Sequence, residues 1–240
     1  MDDAIDRLHR LIDASTRITV VTGAGVSAAS GVPTFRGAGG LWRSFRAEDL
    51  ATPSAFRRDP RLVWEWYDWR RGIIAACEPN AAHRAIAAWS RRPGFTLITQ
   101  NVDGLHERAG TSNVLRYHGS IWHLRCATDC GQPEWEDRRA PLPALPPLCP
   151  SCGGPARPGV VWFGEPIERA VAAAADAASD CDLFLSIGTS SVVYPAAGLL
   201  AQARRRGATT VEINPDATPS TSSVDFVIRM PAEEALRGSS

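Results

Sequence analysis

The chain has 240 residues, 44% of them hydrophobic and 22% charged, so it can bury a substantial core and is neither disordered nor fibrous. Its 26 basic residues, all arginine, balance 26 acidic ones, which removes the basic excess that bulk steering to nucleic acid needs. No apolar run approaches the roughly 18 residues that span a bilayer, and the acidic opening Met1-Asp2-Asp3 is unlike a secretory leader, so a cytoplasmic protein without a membrane partner is expected.

Ile5, Leu8, Leu11 and Ile12 recur at helical spacing, predicting an amphipathic helix over 3–14 that leads into a β-branched run from Ile18 to Val21. The run ends in Thr22-Gly23-Ala24-Gly25, and Gly23 to Ala28 fits G-x-G-x-x-G/A, whose glycines let backbone amides approach a pyrophosphate at a helix start. A tight strand-to-helix turn needs glycine for steric reasons as well, so this motif alone is weak. A hydride-transfer fold would continue with a second strand ending in an acid about 20 residues on. Here Gly31-Val32-Pro33-Thr34-Phe35-Arg36-Gly37 interrupts the helix, and Glu48 and Asp49 sit in RAEDLATP, which does not read as a strand end. A dinucleotide site under an unusual loop is the better reading.

Residues 36–82 are rich in Trp and Arg, and the helical stretch Trp64 to Arg70 puts Tyr67 and Arg70 on one face. A guanidinium beside a phenol can receive a carboxylate through charge-assisted bonds. For a bare Y-x-x-R, however, a solvated face with an arginine on an aromatic is the better explanation.

Further strands are predicted at 95–99, 114–117, 159–163, 182–187, 209–213 and 225–229, with helices at 167–179 and 195–206 and His83 on another. Strands alternating with helices predict an α/β fold, a Rossmann-like doubly wound, mostly parallel sheet covered on both faces, with ligands at the carboxyl ends of its strands. Residues 1–35, 83–120 and 159–240 are assigned to this dinucleotide-binding domain. A helical and cofactor-loop module at 36–82 and a metal-binding module at 121–158 form a smaller lobe.

Gln100, Asn101 and Asp103 follow the strand FTLIT, where amides and a carboxylate can fix ribose hydroxyls and a carboxamide; turn formation explains Asn and Asp nearly as well. His118 lies just after a predicted strand, facing the ligand edge, with an imidazole that exchanges protons near neutral pH. His9, His106 and His123 offer no comparable argument. Cys126-x3-Cys130 and Cys149-x2-Cys152 are two sulfur pairs eighteen residues apart, spaced to close a tetrahedral zinc site. Four thiolates leave no position for water, so the zinc is expected to be structural, tying together a lobe whose connector PLPALPPL cannot form a core unaided. Cys77 and Cys181 have no close partner and read as buried small apolar side chains.

Together these motifs resemble the sirtuin family: Gly23-Ala24-Gly25-Val26-Ser27, Gly31 to Arg36, Thr99-Gln100-Asn101-Val102-Asp103, His118-Gly119, the four cysteines and Gly188-Thr189-Ser190 occur in the family's order. The resemblance covers about residues 15–235 and implies an enzyme in which NAD and an acyl-lysine peptide meet between the sheet domain and the small lobe. It implies that the acyl oxygen attacks C1′ of the nicotinamide ribose and expels nicotinamide. His118 then serves as general base on a ribose hydroxyl, and hydrolysis gives lysine and O-acyl-ADP-ribose. By the same resemblance Gly23, Ala24, Gly25, Ser27, Thr34, Phe35, Arg36, Gln100, Asn101, Asp103, Gly188, Thr189, Ser190, Asn214 and Ala232 hold NAD, although Thr34 departs from the Asp frequent there. Val160, Val161, Trp162, Phe163, Gly164 and Glu165 look like the strand that pairs with the acyl-lysine peptide. Tyr67 and Arg70 are similar to the signature of the class that prefers succinyl, malonyl or glutaryl lysine over acetyl, and Ala51 matches its small pocket residue. The expected partners are acyl-lysine proteins or peptides, with no direct nucleic-acid binding, and the expected state is a monomer. Mono-ADP-ribosyl transfer from NAD and a non-catalytic ADP-ribose or NAD module remain open.

Overall fold

The computed structural model describes residues 2–34, 41–42 and 45–238, so Phe35 and Arg36 lie outside the described residues. Helix α1 (Asp2–Ala14) buries Leu8 and Ile12 and hands over to β1 (Ile18–Thr22), all five residues of which are buried. The glycine turn opens a single helical turn, α2 (Ala24–Ser27). A short antiparallel ribbon, β2 (Leu41–Trp42) with β3 (Phe45–Arg46), precedes α3 (Ala47–Leu50), α4 (Pro53–Arg58) and α5 (Pro60–Ala76). At the starts of α4 and α5, the Thr52 and Asp59 side chains accept main-chain N–H groups from Ala55 and Leu62, and proline fills the next position, where its missing N–H costs nothing. Next come α6 (Ala81–Trp89), β4 (Phe95–Thr99), α7 (Leu105–Arg108) and β5 (Val114–Arg116), then β6 (Gly119–Cys126), β7 (Trp135–Glu136) and β8 (Ala156–Val160). The chain finishes with α8 (Arg169–Ala178), β9 (Leu183–Ile187), α9 (Gly198–Arg205), β10 (Thr209–Ile213), β11 (Phe226–Ile228) and α10 (Ala232–Ala235).

Six strands form one parallel sheet in the order β11-β10-β9-β1-β4-β5. Successive strand residues alternate between its two faces. Val20, Leu97 and Leu185 pack with α1, α6 and α10 on one side, while Val21, Ile98 and Phe184 pack with α8 and α9 on the other. Both faces are therefore dry, which is why these strands read as continuous apolar runs. Each such buried aliphatic side chain contributes about 2 kcal/mol. The chain leaves β1 toward β4 and β5 on one side and returns through β9, β10 and β11 on the other, so strand order reverses between β1 and β9. The crevice at a reversal of this kind is where open α/β sheets bind ligands.

A second, antiparallel sheet has the order β7-β6-β8. Its apolar face joins α4 and α5 in a core built on Trp64, Trp66, Tyr67, Trp122 and Trp162. Arg71 on α5 is fully buried and spends its guanidinium on the Ile121 carbonyl at 2.8 Å, the Arg139 carbonyl at 2.9 Å and the Asp137 carbonyl, while Asp137 supplies the countercharge at 3.4 Å. The Trp64 indole N–H donates to the Ala156 carbonyl at 2.8 Å. A buried cation satisfied by carbonyls and one carboxylate ties helix to sheet, because leaving such donors unpaired would cost several kcal/mol, and the Pro-rich connector adds the Leu142 N–H, which donates to Asp68 on α5 at 2.8 Å.

Four expected strands have other ends in the structure: 182–187 is Leu183–Ile187, 225–229 is Phe226–Ile228, and two more also differ. The strand expected at 159–163 is found at Ala156–Val160, because the hydrogen bonds past Val160 go to loops: the Val161 N–H donates to the His118 carbonyl and the Phe163 N–H to the Ala51 carbonyl. The strand expected at 114–117 is found at Val114–Arg116: the Tyr117 N–H makes the last ladder bond, to the Thr99 carbonyl at 2.8 Å, and β4 itself ends at Thr99. Among the described residues, no helix is long and apolar enough to cross a membrane.

Candidate active site

At the reversal, the glycine turn after β1 presses against the turn after β9. The Gly25 N–H donates to the Gly188 carbonyl at 2.8 Å. A Cβ on Gly25 would come within 2.7 Å of that carbonyl oxygen, and one on Gly23 within 2.8 Å of the Thr189 Cα. Gly188 adopts φ +59°, and a Cβ there would meet the Val26 nitrogen at 2.5 Å. These three positions are glycine because two backbones pack without side chains between them, a steric demand the sequence motif could not separate from ligand approach.

The segment after β4 crosses the same crevice. Gln100 donates through Nε2 to the Thr189 hydroxyl at 3.0 Å, and Asn214, just after β10, donates through Nδ2 to the Thr189 carbonyl at 2.8 Å. Asn101 donates through Nδ2 to the Gly23 carbonyl at 3.0 Å and to the Ser27 hydroxyl at 3.1 Å. Ser27 in turn donates to the Asp103 carboxylate at 2.8 Å. Asp103 is buried, which is the main cause raising its pKa, opposed by the Leu105 N–H and the Ser27 hydroxyl that bond its carboxylate.

His118 sits between β5 and β6, with Nδ1 3.1 Å from the Gln100 carbonyl oxygen. A carbonyl only accepts, so Nδ1 carries the proton and Nε2 is left as the basic nitrogen. Burial lowers the His118 pKa, partly offset by that carbonyl. The ring is thus neutral and oriented, the state a general base requires.

Two residues that gave no functional signal in the sequence, His83 and His106, lie beneath this surface with ring centroids 4.8 Å apart. The Asn80 N–H donates to His83 Nδ1 at 3.2 Å, so His83 donates through Nε2 to Ser27 at 3.3 Å. Ser27 then uses its proton and both lone pairs. The Thr22 hydroxyl donates to Thr99 at 2.9 Å and accepts from His106 Nε2 at 3.0 Å. Thr99 Oγ1 accepts the Asn101 N–H at 3.1 Å, which links His106 to the Asn101 backbone. Helical spacing from the cap at Asn80 could have placed His83 on the buried face; His106 offered only its place one residue into a short helix.

Of the remaining expected site residues, Thr34 and Ser190 are half-buried, Ala24 opens α2, and Ala232 opens α10 in the core beneath the glycine turn. Tyr67 and Arg70 are both buried on α5, and the Arg70 guanidinium lies 5.3 Å from the Trp66 ring centroid. Tyr67 accepts a 2.9 Å hydrogen bond from the Trp162 indole, and burial pushes its phenol up to about 12. Ala51 is buried and bonded to Phe163 at 2.9 Å, so it borders the 160–165 segment; Phe163 itself is exposed and Gly164 takes φ +86°.

Away from the crevice, the Sγ atoms of Cys126, Cys130, Cys149 and Cys152 lie within 4.8 Å of one another, with Cys126–Cys152 at 3.6 Å and Cys130–Cys149 at 3.7 Å. Tetrahedral Zn–S bonds of about 2.3 Å require S–S separations of about 3.8 Å. The quartet fits one zinc ion with no open coordination position, so the metal holds the end of β6 to the loop before β8. Cys77 and Cys181 are buried and lie outside this group.

The Sir2 family profile matches residues 23–195. A protein of Aquifex aeolicus (strain VF5) named NAD-dependent protein deacylase is 49% identical over 223 residues, covering 92% of each chain. A solved Sir2 homolog–NAD complex superposes with TM-score 0.91 at 44% identity, covering 98% of this chain and 91% of that one. A Sir2–p53 peptide–NAD+ structure does so with TM-score 0.86 at 28% identity, covering 97% and 95%. On sequence and fold alike, the chain belongs to the Sir2 family.

Proposed function

We propose that this chain is an NAD-dependent protein-lysine deacylase that releases nicotinamide and O-acyl-ADP-ribose. The observation that supports the reading is the hydrogen-bonded network that joins His118 through Gln100, and Asp103 through Ser27 and Asn101, to the turn after β1 at the sheet's reversal point, in a chain of this family. NAD supplies the electrophilic anomeric carbon. The chain's own residues orient and move protons: His118, held through Nδ1 by Gln100, accepts a proton at Nε2 from a ribose hydroxyl, and Asp103, Asn101 and Ser27 fix the carboxamide end. The dinucleotide falls to residues 1–35, 83–120 and 159–240, and the acyl-lysine segment to their border with 36–82 and 121–158. Gly188, Thr189, Ser190 and Asn214 serve its phosphate and adenosine side, and the 160–165 segment pairs with the peptide backbone.

The acyl group best matched is an acidic one, succinyl, malonyl or glutaryl. Tyr67 and Arg70 are neighbours on one face of α5, both buried, and a guanidinium with a phenol receives a carboxylate through charge-assisted bonds. Mass spectrometry of peptides bearing acetyl, malonyl, succinyl or glutaryl lysine, with and without NAD, tests both parts. NAD-dependent loss of the acidic acyl groups faster than acetyl is expected; loss without NAD, or equal rates for all four, would sink the first or the second part respectively.

A further inference from the structure

Resting on the acidic-acyl reading of Tyr67 and Arg70, we infer that Trp162 is a specificity-determining residue: its indole N–H occupies the acceptor side of the Tyr67 phenol, so that the phenol's own proton is directed to the carboxylate of the acyl chain. The indole nitrogen can only donate, so the direction of the 2.9 Å bond between Trp162 Nε1 and Tyr67 Oη is fixed by chemistry. A phenol has one proton. Had its buried partner been a carbonyl or carboxylate, that proton would be consumed inside the fold and the lone pairs would face the acyl pocket, repelling an anion. With a donor-only partner, the proton stays available, and accepting one hydrogen bond makes a hydroxyl a stronger donor of the next. Burial keeps the phenol protonated, with its pKa pushed up to about 12.

The surroundings fix the indole against rotation. Trp162 is 2% exposed, and its ring packs at 5.2 Å on Phe56. The Arg157 guanidinium lies 3.4 Å from the centre of its ring, held by two bonds to Glu165 at 2.6 and 2.8 Å. Glu165 also accepts the Trp162 main-chain N–H at 2.9 Å. One carboxylate therefore holds both the backbone of Trp162 and the cation stacked on its face, and the indole N–H meets Tyr67 in a single orientation. The role differs from backbone pairing with the peptide, which any side chain at 162 would allow.

The test compares kcat/KM for succinyl-lysine and acetyl-lysine versions of one peptide. Trp162→Phe keeps an aromatic ring and removes the N–H; the succinyl-to-acetyl ratio should fall about tenfold, the scale of one hydrogen bond. Protein carrying benzothienylalanine at 162, which preserves the shape of the indole and lacks its N–H, should show the same fall, so that lost packing is not mistaken for the effect. In a Tyr67→Phe background, the change at 162 should leave the ratio where Tyr67→Phe alone puts it. A ratio unmoved in both 162 variants, while Tyr67→Phe and Arg70→Met each lower it, overturns the role of Trp162 alone. If Tyr67→Phe and Arg70→Met leave the ratio unmoved, the acidic-acyl reading falls and takes this inference with it.

Discussion

The Nδ1–H of His118 points at the main-chain carbonyl of Gln100 across 3.1 Å, and this contact decides which ring nitrogen is basic. Gln100 is itself anchored by its N–H on the Thr22 carbonyl at 3.0 Å, so the ring is referenced to the central strand of the parallel sheet. Burial lowers the His118 pKa below its ordinary 6.5, with the Gln100 carbonyl acting in the opposite sense. The imidazole is thus neutral in a larger fraction of molecules than a free histidine at the same pH. The acid limb of kcat/KM, which reports the free enzyme's base, should therefore have its midpoint below 6.5; a midpoint above 7 would contradict this electrostatic account of His118.

Arg70→Met removes a guanidinium and keeps a long apolar side chain on α5. Hydrogen bonds to charged groups are worth about 1.5–3 kcal/mol, so desuccinylation kcat/KM should fall roughly 10- to 100-fold while deacetylation changes only a few fold. Steady-state kinetics on matched peptides checks this, and equal losses would remove the specificity claim.

Cys149→Ser takes one thiolate from a quartet whose sulfurs already stand at zinc-bonded spacing. Elemental analysis should find one zinc per parent chain and far less in the variant. Thermal unfolding should register a loss above about 3 kcal/mol, at the large end for single substitutions. Retention of full zinc and full stability would show that Cys149 is not a ligand.

His83 and His106 are held neutral by burial, each with its pKa lowered to about 3, and His106 adds charge repulsion at His83. Unfolded, both titrate near 6.5. Between those limits the unfolded chain binds protons that the folded one does not, so stability is complete above 6.5 and is lost as pH falls toward 3, by up to about 1.4 kcal/mol per pH unit for each ring. His106→Gln keeps a donor toward Thr22 and cannot titrate; it should flatten the fall in urea midpoint across this window. An unaltered slope would show that His106 does not titrate there.

The parallel sheet was legible because burial on both faces writes itself as uninterrupted apolar runs: FTLIT and TTVEI match β4 and β10 residue for residue. Strand β8 begins before the apolar run at 159–163, and Ala156-Arg157-Pro158-Gly159 has little strand character of its own; its pairing comes from β6, thirty or more residues away. Gln100 to Asp103 and His118 follow strand ends, so their place at the sheet's ligand edge is legible while a role for them is not, since turn formation accounts for Asn and Asp nearly as well; the cysteine spacing carries its own geometry. What stayed hidden was every relation made only by packing: Gly23 and Gly25 against Gly188, His83 under Ser27, His106 under Thr22, and Trp162 on Tyr67. Each joins residues far apart in sequence, and no local period encodes which buried polar atom meets which.

The most direct test of the account follows NAD labelled in its adenylate half, incubated with an acylated peptide and either the parent protein or His118→Ala. The parent should transfer the label to O-acyl-ADP-ribose in step with nicotinamide release, and His118→Ala should do so at least about 100-fold more slowly, the usual scale of a lost general base. Turnover by His118→Ala at the parent rate, or label appearing on the protein instead of on the acyl product, would contradict it.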